Sequence, residues 1–387
     1  MPLQSRKRLI LAKTESTYGT DSSPVGSEAI LVRDLNITPM ESDTVSRDLV
    51  RPYYGATEQL QANARVSCTF SVEMAGSGTA GTAPRFDPVL QACGFARTAF
   101  TPAVTGTATG GALNSITLAV GASAVNNVYR GLILRITGGV GAGTVALVTG
   151  YVGSTRTATL RPLFGSVTPT ATSVYSIGLQ TAYDPISSAF SSATIHYNID
   201  GVLHRLTGCR GSVAPSAVLS EIPRFDFTLT GIYNPPTDTA QPAATYADQA
   251  TPLLFNASNS GGFSLMGYSG CLSSVQLDMG NEIVYRELVN CTKEVLLNDR
   301  NVTGSVLIEA PTIAQKDYFT AALTDGTLGD LSFIHGTTPG NIVGMLSNRV
   351  DISAPSYEDQ NGVHMLNVPV TLIPSTAGND EMRLVFA

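Results

Sequence analysis

Apolar and polar positions alternate with a period of two along several stretches of the chain. Val66, Cys68, Phe70, Val72 and Met74 alternate with Ser67, Thr69, Ser71 and Glu73, and Phe225, Phe227 and Leu229 repeat the pattern. A period of two predicts strands with one buried face. Two short helices interrupt the strands. Asp87 is placed to cap the first, Pro88 to occupy its first turn and Gly94 to end it. Pro311 is placed to open the second, Tyr318, Phe319, Ala322 and Leu323 to supply its apolar stripe, and Gly326 to end it.

These elements occur twice. Val45-Ser-Arg-Asp-Leu-Val50 reappears as Val284-Tyr-Arg-Glu-Leu-Val289, and Val66–Glu73 aligns with Val302–Glu309 after an offset change of three residues. Ile195-His196 then matches Ile334-His335, Arg210 matches Arg349, Pro215-Ser216 matches Pro355-Ser356, and Phe225–Leu229 matches Val368–Leu372. Short matches in one shared order point to an internal duplication. Each copy reads β-β-β-α-β-β-β, a mainly β, α+β sandwich or barrel with one short flanking helix. The first copy carries extra sequence between its helix and its next strand. That insert has strand signals at 115–120, 132–137, 144–151, 158–163 and 173–177. The expected organisation is an N-terminal arm over 1–27, a first domain over 28–98 and 181–240, an outward-facing β insert over 99–180, and a second domain over 241–387.

Charge and composition narrow the function. Charged residues make up 14% of the 387 and the net charge is −7, which argues against a clamp on nucleic acid that works by neutralising phosphates. The segment from Thr98 to Tyr183 holds Arg130, Arg135, Arg156 and Arg161 and no acid, so a basic insert sits in an acidic body. Five cysteines without CxxC spacing predict mostly buried thiols. The apolar run Leu9–Ala12 is too short for a secretion signal, and no run approaches a membrane span.

Catalytic signatures are weak. Gly76-Ser-Gly78-Thr-Ala-Gly81 is a literal GxGxxG between a strand and a helix. The dinucleotide reading needs an acid about 20 residues on, yet none lies between Asp87 and Asp184, so a strand-to-helix crossover is expected. Gly138–Gly143 lacks a phosphate loop's Lys-Ser/Thr and predicts a hairpin turn. His196 and His335 occupy matched positions and predict a shared structural role. Neither a catalytic residue nor a cofactor or metal site is expected. Matched acids are more informative: Asp48 with Glu287, and Glu73 with Glu309, are candidates for a repeated negative surface.

Thr14-Glu-Ser-Thr-Tyr-Gly-Thr-Asp21, Val45–Pro52, Phe70–Gly81 and Leu90-Gln-Ala-Cys-Gly-Phe95 together resemble the major tail tube proteins of long-tailed, non-contractile bacteriophages. The resemblance covers about residues 8–96 and 190–235 and leaves the insert outside. It implies a non-enzymatic virion protein, made in the host cytoplasm, that closes into rings stacked around a DNA channel. Two tube domains per chain imply a homotrimeric, pseudo-sixfold ring, with a six-chain ring as the alternative. Asp48, Glu73, Glu287 and Glu309 are then the candidate lumen acids, repelling phosphate so that DNA slides without specific binding. The implied partners are further copies of the chain, a tape measure protein, and tip or terminator proteins, with no membrane. The arm before Ser27 and the loop after Tyr233 are candidates to join successive rings. Competing readings are an adhesive or carbohydrate-binding β-sandwich, which the absence of Trp disfavours, another ring component such as a terminator, and a glycine-motif dehydrogenase.

Overall fold

The computed structural model describes residues 3–387. Strand β1 (Arg8–Thr14) opens the fold because Leu9, Ile10, Leu11 and Ala12 are all buried. Residues 8–14 of the predicted arm are therefore an integral strand, and Met1 and Pro2 of that arm lie outside the described residues. A long ribbon follows, built from β2 (Arg33–Ser46) and β3 (Gln59–Glu73). At ~3.3 Å per residue β3 spans roughly 46 Å, and its alternating core face begins only at Val66, so the half toward the tip projects from the body. Helix α1 (Asp87–Ala92) leads into β4 (Phe95–Phe100). Pro88 sits in its first turn and Gly94, at φ 82°, follows its end as expected. The cap differs from expectation. Phe86 holds the cap position, and the buried Asp87 carboxylate instead accepts from Gln91 Nε2 at 2.9 Å, Arg97 at 2.9 Å and the Tyr183 hydroxyl at 2.8 Å.

Seven strands then form a sheet of their own: β5 (Val104–Thr107), β6 (Gly110–Ala112), β7 (Ser115–Thr117), β8 (Ile133–Gly138), β9 (Val145–Val152), β10 (Thr157–Pro162) and β11 (Val174–Ile177), in the order β5-β11-β8-β9-β10-β7-β6. Each of the five strand signals yields a strand, and the glycine run 138–143 turns β8 into β9. Chain exit and return run side by side, since β4 pairs with β12 (Gln180–Pro185) and Ala99 lies opposite Thr181. The module also packs onto the later half of the chain. Its core continues through Ile334, Ile342, Leu346 and Val385, and Arg161 meets Asp330 at 3.2 Å.

The remaining strands are β13 (Ala193–Ile199), β14 (Val202–Val218), β15 (Arg224–Tyr233), β16 (Thr237–Asp238), β17 (Ser260–Leu265), β18 (Leu272–Asp278), β19 (Asn281–Arg286), β20 (Glu294–Arg300), β21 (Thr303–Glu309), β22 (Gly329–His335), β23 (Val343–Ile352), β24 (Ser356–Gln360), β25 (Val363–Leu372) and β26 (Arg383–Phe386). Helix α2 (Tyr318–Leu323) lies between β21 and β22. Asp317 caps it by accepting from the Thr320 amide at 2.9 Å, while Pro311 lies seven residues before its first residue, Tyr318. Of the expected stripe, Tyr318 is buried and Phe319 and Ala322 pack against the core, whereas Leu323, at the end of a helix of fewer than two turns, is 86% exposed.

Antiparallel pairing runs β1-β13-β14-β15-β3-β2 in one half and β17-β22-β23-β25-β21-β18 in the other. The order is the same strand for strand. Ser216 lies opposite Arg224 and Ser356 opposite Asn367, in agreement with the sequence alignment. The next seam departs from it: Phe227 faces Phe70, whereas Val368, aligned with Phe225, faces Val306, aligned with Phe70. The difference is a two-residue slip, which keeps every side chain on its face. One core serves both halves, and Phe386 of β26 packs against Phe86 and Tyr183 at ring separations of 5.7 and 5.6 Å.

Candidate functional site

Two β14 and β18 segments join the halves. Ser216, Ala217 and Val218 of β14 pair with Gln276, Val275 and Ser274 of β18. The join makes one continuous run, β2-β3-β15-β14-β18-β21-β25-β24. One face of this eight-strand run is the core, built by Phe70, Phe227, Val213, Val275, Val306 and Val368. The other face carries the alternate residues, and hydroxyls dominate it: Thr69 on β3, Thr228 on β15, Ser212 on β14, Ser274 on β18, Ser305 on β21 and Thr371 on β25. Glu73 and Glu309 sit on this face, at the ends of matched strands β3 and β21.

Three acids that sequence reasoning did not single out join them: Asp226, Asp278 and Glu358. Asp226 is held by Arg224, whose Nε lies 3.1 Å from each carboxylate oxygen. Ser212 donates to Asp278 at 3.3 Å across the β14–β18 join, and Asn367 donates to Glu358 at 2.8 Å. Asp226 was legible in the alternation, because it separates Phe225 from Phe227. Asp48 and Glu287 lie elsewhere. Asp48 is in the exposed turn between β2 and β3, and Glu287 is in the turn after β19, 3.1 Å from Lys293 Nζ. The four sequence candidates thus fall into two pairs, one on the hydroxyl-rich face and one at ribbon ends.

The outermost strands of the run have open edges. Among the described residues β2 pairs only with β3, and β24 only with β25, and all five β24 residues are exposed. An open strand edge is a template for another chain.

The other motifs are structural. The Gly76 amide donates to Asn341 Oδ1 at 3.0 Å and the Gly78 amide to the Gly340 carbonyl at 2.9 Å. A Cβ on Gly76 would come 2.1 Å from that carbonyl oxygen, so the glycine permits two backbones to meet. His196 and His335 are both buried on matched strands, with Asp21 Oδ1 2.9 Å from the first and Ser260 Oγ 2.8 Å from the second. Burial lowers both pKa values, that of His335 to about 4. Cys68, Cys93 and Cys209 are buried, with their thiols pushed up by desolvation, whereas Cys271 and Cys291 are exposed. Among the described residues no cluster of His, Cys, Asp or Glu is placed to hold a metal, and no helix is long and apolar enough to cross a membrane.

A family model described as phage tail tube protein matches residues 5–371. The chain belongs to this family. It is a structural component of the phage virion that assembles with copies of itself into a tube, and it is not an enzyme. The match spans the seven-strand module as well as both repeated halves. No curated protein matches the chain.

Proposed function

We propose that this tail tube protein is the major tube subunit of a long, non-contractile tail, closing as a trimer into pseudo-sixfold rings stacked around a negatively charged DNA channel. The observation that carries this reading is the pair of open edges at either end of an eight-strand run that is already joined internally at β14–β18. In the repeat, β24 corresponds to the end of β14, and the start of β2 corresponds to β18. The join inside one chain is therefore a template for the join between chains, with β24 of one beside β2 of the next. Asn36 would lie opposite Ser356 and Leu35 opposite Tyr357. Tyr357 is 57% exposed while its counterpart Ala217 is buried, as expected for a residue awaiting a neighbour. Three chains would close a barrel of about 24 strands, roughly 37 Å across at the backbone before tilt widens it.

On this reading 28–98 with 181–240 and 241–387 are the two tube domains, and 99–180 is an outward decoration. The hydroxyl-rich face lines the channel, where the six acids Glu41, Glu73, Asp226, Asp278, Glu309 and Glu358 outnumber the four arginines Arg33, Arg65, Arg210 and Arg224. The fixed acids repel phosphate, and the small hydroxyls add no positive charge to hold it. The tape measure and tip proteins are partners in setting tube length and starting polymerisation in the host cytoplasm, and stacking of rings engages the residues before Ser27 that lie outside β1 and the loop after Tyr233.

Electron microscopy of the purified protein with tail-tip complexes, averaged end on, tests the reading. Hollow stacked rings with three peripheral lobes are expected. Single rings that never stack would make it a terminator, six lobes would make the ring six chains, and separate particles would remove the tube.

A further inference from the structure

The repeat also predicts a second contact between chains, beyond the strand seam. Inside one chain the β19–β20 ribbon lies back across β14 of the first half. Arg210 on β14 donates to the Val295 carbonyl at 2.8 Å and approaches Glu294 at 3.6 Å, with its guanidinium 4.8 Å from the Tyr18 ring centre. Asn281 donates to the Gly211 carbonyl at 2.9 Å. The β2–β3 ribbon is the counterpart of this ribbon in the first half, and cross-strand register proves the match: Val45 lies opposite Leu60 as Val284 lies opposite Leu296. Two residues outward, Arg47 and Glu58 correspond to Arg286 and Glu294.

The partner positions exist but are unused within the chain. Arg349 on β23 corresponds to Arg210, since Arg210 faces Thr230 and the Arg349 carbonyl accepts from the Ile373 amide, the matched position. Arg210 is buried under its ribbon, whereas Arg349 is exposed and, among the described residues, its side chain has no hydrogen bond or ion pair. Glu58 is likewise 69% exposed, with one loose contact to Arg47 at 3.5 Å.

Resting on the ring reading above, we infer that the β2–β3 ribbon of each chain lies across β23 of the preceding chain, the one whose β24 its β2 joins, with Glu58 against that neighbour's Arg349 and the Gln59 carbonyl accepting from it. The contact is head to tail, so each chain gives one ribbon and receives one, and the ring closes without a spare surface. Its chemistry differs from the internal version. Val295 and Leu297 are buried, Val295 beside Arg210 and Leu297 beside Gly94, but their counterparts are Gln59 and Gln61. The contact between chains is therefore polar, which keeps free subunits apart until the strand edges also meet.

The test uses full-length protein assembled on tail-tip complexes. Arg349→Glu and Glu58→Arg each place like charges together, and each is expected to cut the mass of tube formed at least about tenfold. The double variant is expected to recover to within about twofold of wild type. Circular dichroism checks that each variant folds. In a Cys271→Ser, Cys291→Ser background, Glu58→Cys with Arg349→Cys should form chain-to-chain products with a short bismaleimide in tubes and not in free subunits. Single reversals that assemble as wild type, or tubes that give no cross-linked product, would overturn the inference while leaving the ring intact. Wild-type protein that forms no rings at all would instead overturn the tube reading, and the inference with it.

Discussion

The two ribbons carry matched residues yet lie differently, and a few substitutions account for it. On β20, Val295 and Leu297 are buried against the first half, and Arg300 anchors the ribbon's base to Glu381 at 2.5 Å and to the Ile186 carbonyl at 2.8 Å. On β3 the same three positions hold Gln59, Gln61 and Ala64. The first ribbon has neither apolar anchors nor a buried ion pair, so it stands away from its own chain, with Val50 and Tyr54 fully exposed. One ribbon is spent on folding, and the other is left for assembly.

The largest effect that would break this contrast comes from the base of the second ribbon. Arg300 and Glu381 are both nearly buried, so Glu381→Ala leaves an uncompensated guanidinium and is expected to cost about 3–5 kcal/mol in urea unfolding. Next is the matched arginine pair. Arg210→Ala removes the donor to two carbonyls, Val295 and Phe190, and is expected to cost about 3 kcal/mol of monomer stability. Arg349→Ala should change it by less than about 0.5 kcal/mol. Equal losses at the two positions would remove the distinction between a used and an unused contact.

The matched histidines sharpen the comparison through pH. The pKa of folded His335 lies near 4 because burial disfavours the cation, below the free value of about 6.5. The unfolded chain therefore takes the proton first, and stability falls as pH drops through the window from about 6.5 to about 4. Between pH 7 and pH 5 the loss from His335 is about 2 kcal/mol. His196 is lowered too, but Asp21 opposes the effect of burial there. His335→Gln should flatten the pH dependence of urea midpoints more than His196→Gln, and the reverse ranking would contradict the assignment. The smallest effect is at the helices. Asp317→Ala removes the cap of α2 and is expected to cost about 1 kcal/mol in the same unfolding experiment, whereas α1 has no side-chain cap to lose.

Much of this fold was legible in the order of the residues. Period-two alternation marks β3 and β15, and the strand signals of the module lie in short apolar stretches punctuated by glycines. The repeat was visible because it preserves short ordered motifs. What stayed hidden has physical reasons. A two-residue slip between β15–β3 and β25–β21 leaves the hydrophobic pattern unchanged, so pattern cannot detect it. Strand β24, Ser-Tyr-Glu-Asp-Gln, is exposed throughout and has no buried face to give it a period, which concealed Glu358. Asp87 read as a cap because its sequence position suits one, while its actual partners Arg97 and Tyr183 arrive from β4 and β12. The four candidate acids were chosen by repeat position, and position alone does not separate a sheet face from a ribbon tip.

The most direct test of the central claim, that the join inside the chain is repeated between chains, is a cryo-electron microscopy reconstruction of the assembled tube at a resolution that traces strands. The account predicts β24 of one chain hydrogen-bonded antiparallel to β2 of the next, with Asn36 opposite Ser356, Tyr357 buried, and three seven-strand modules around each ring. A ring in which β2 and β24 stay unpaired, or in which other strands form the seam, would contradict it.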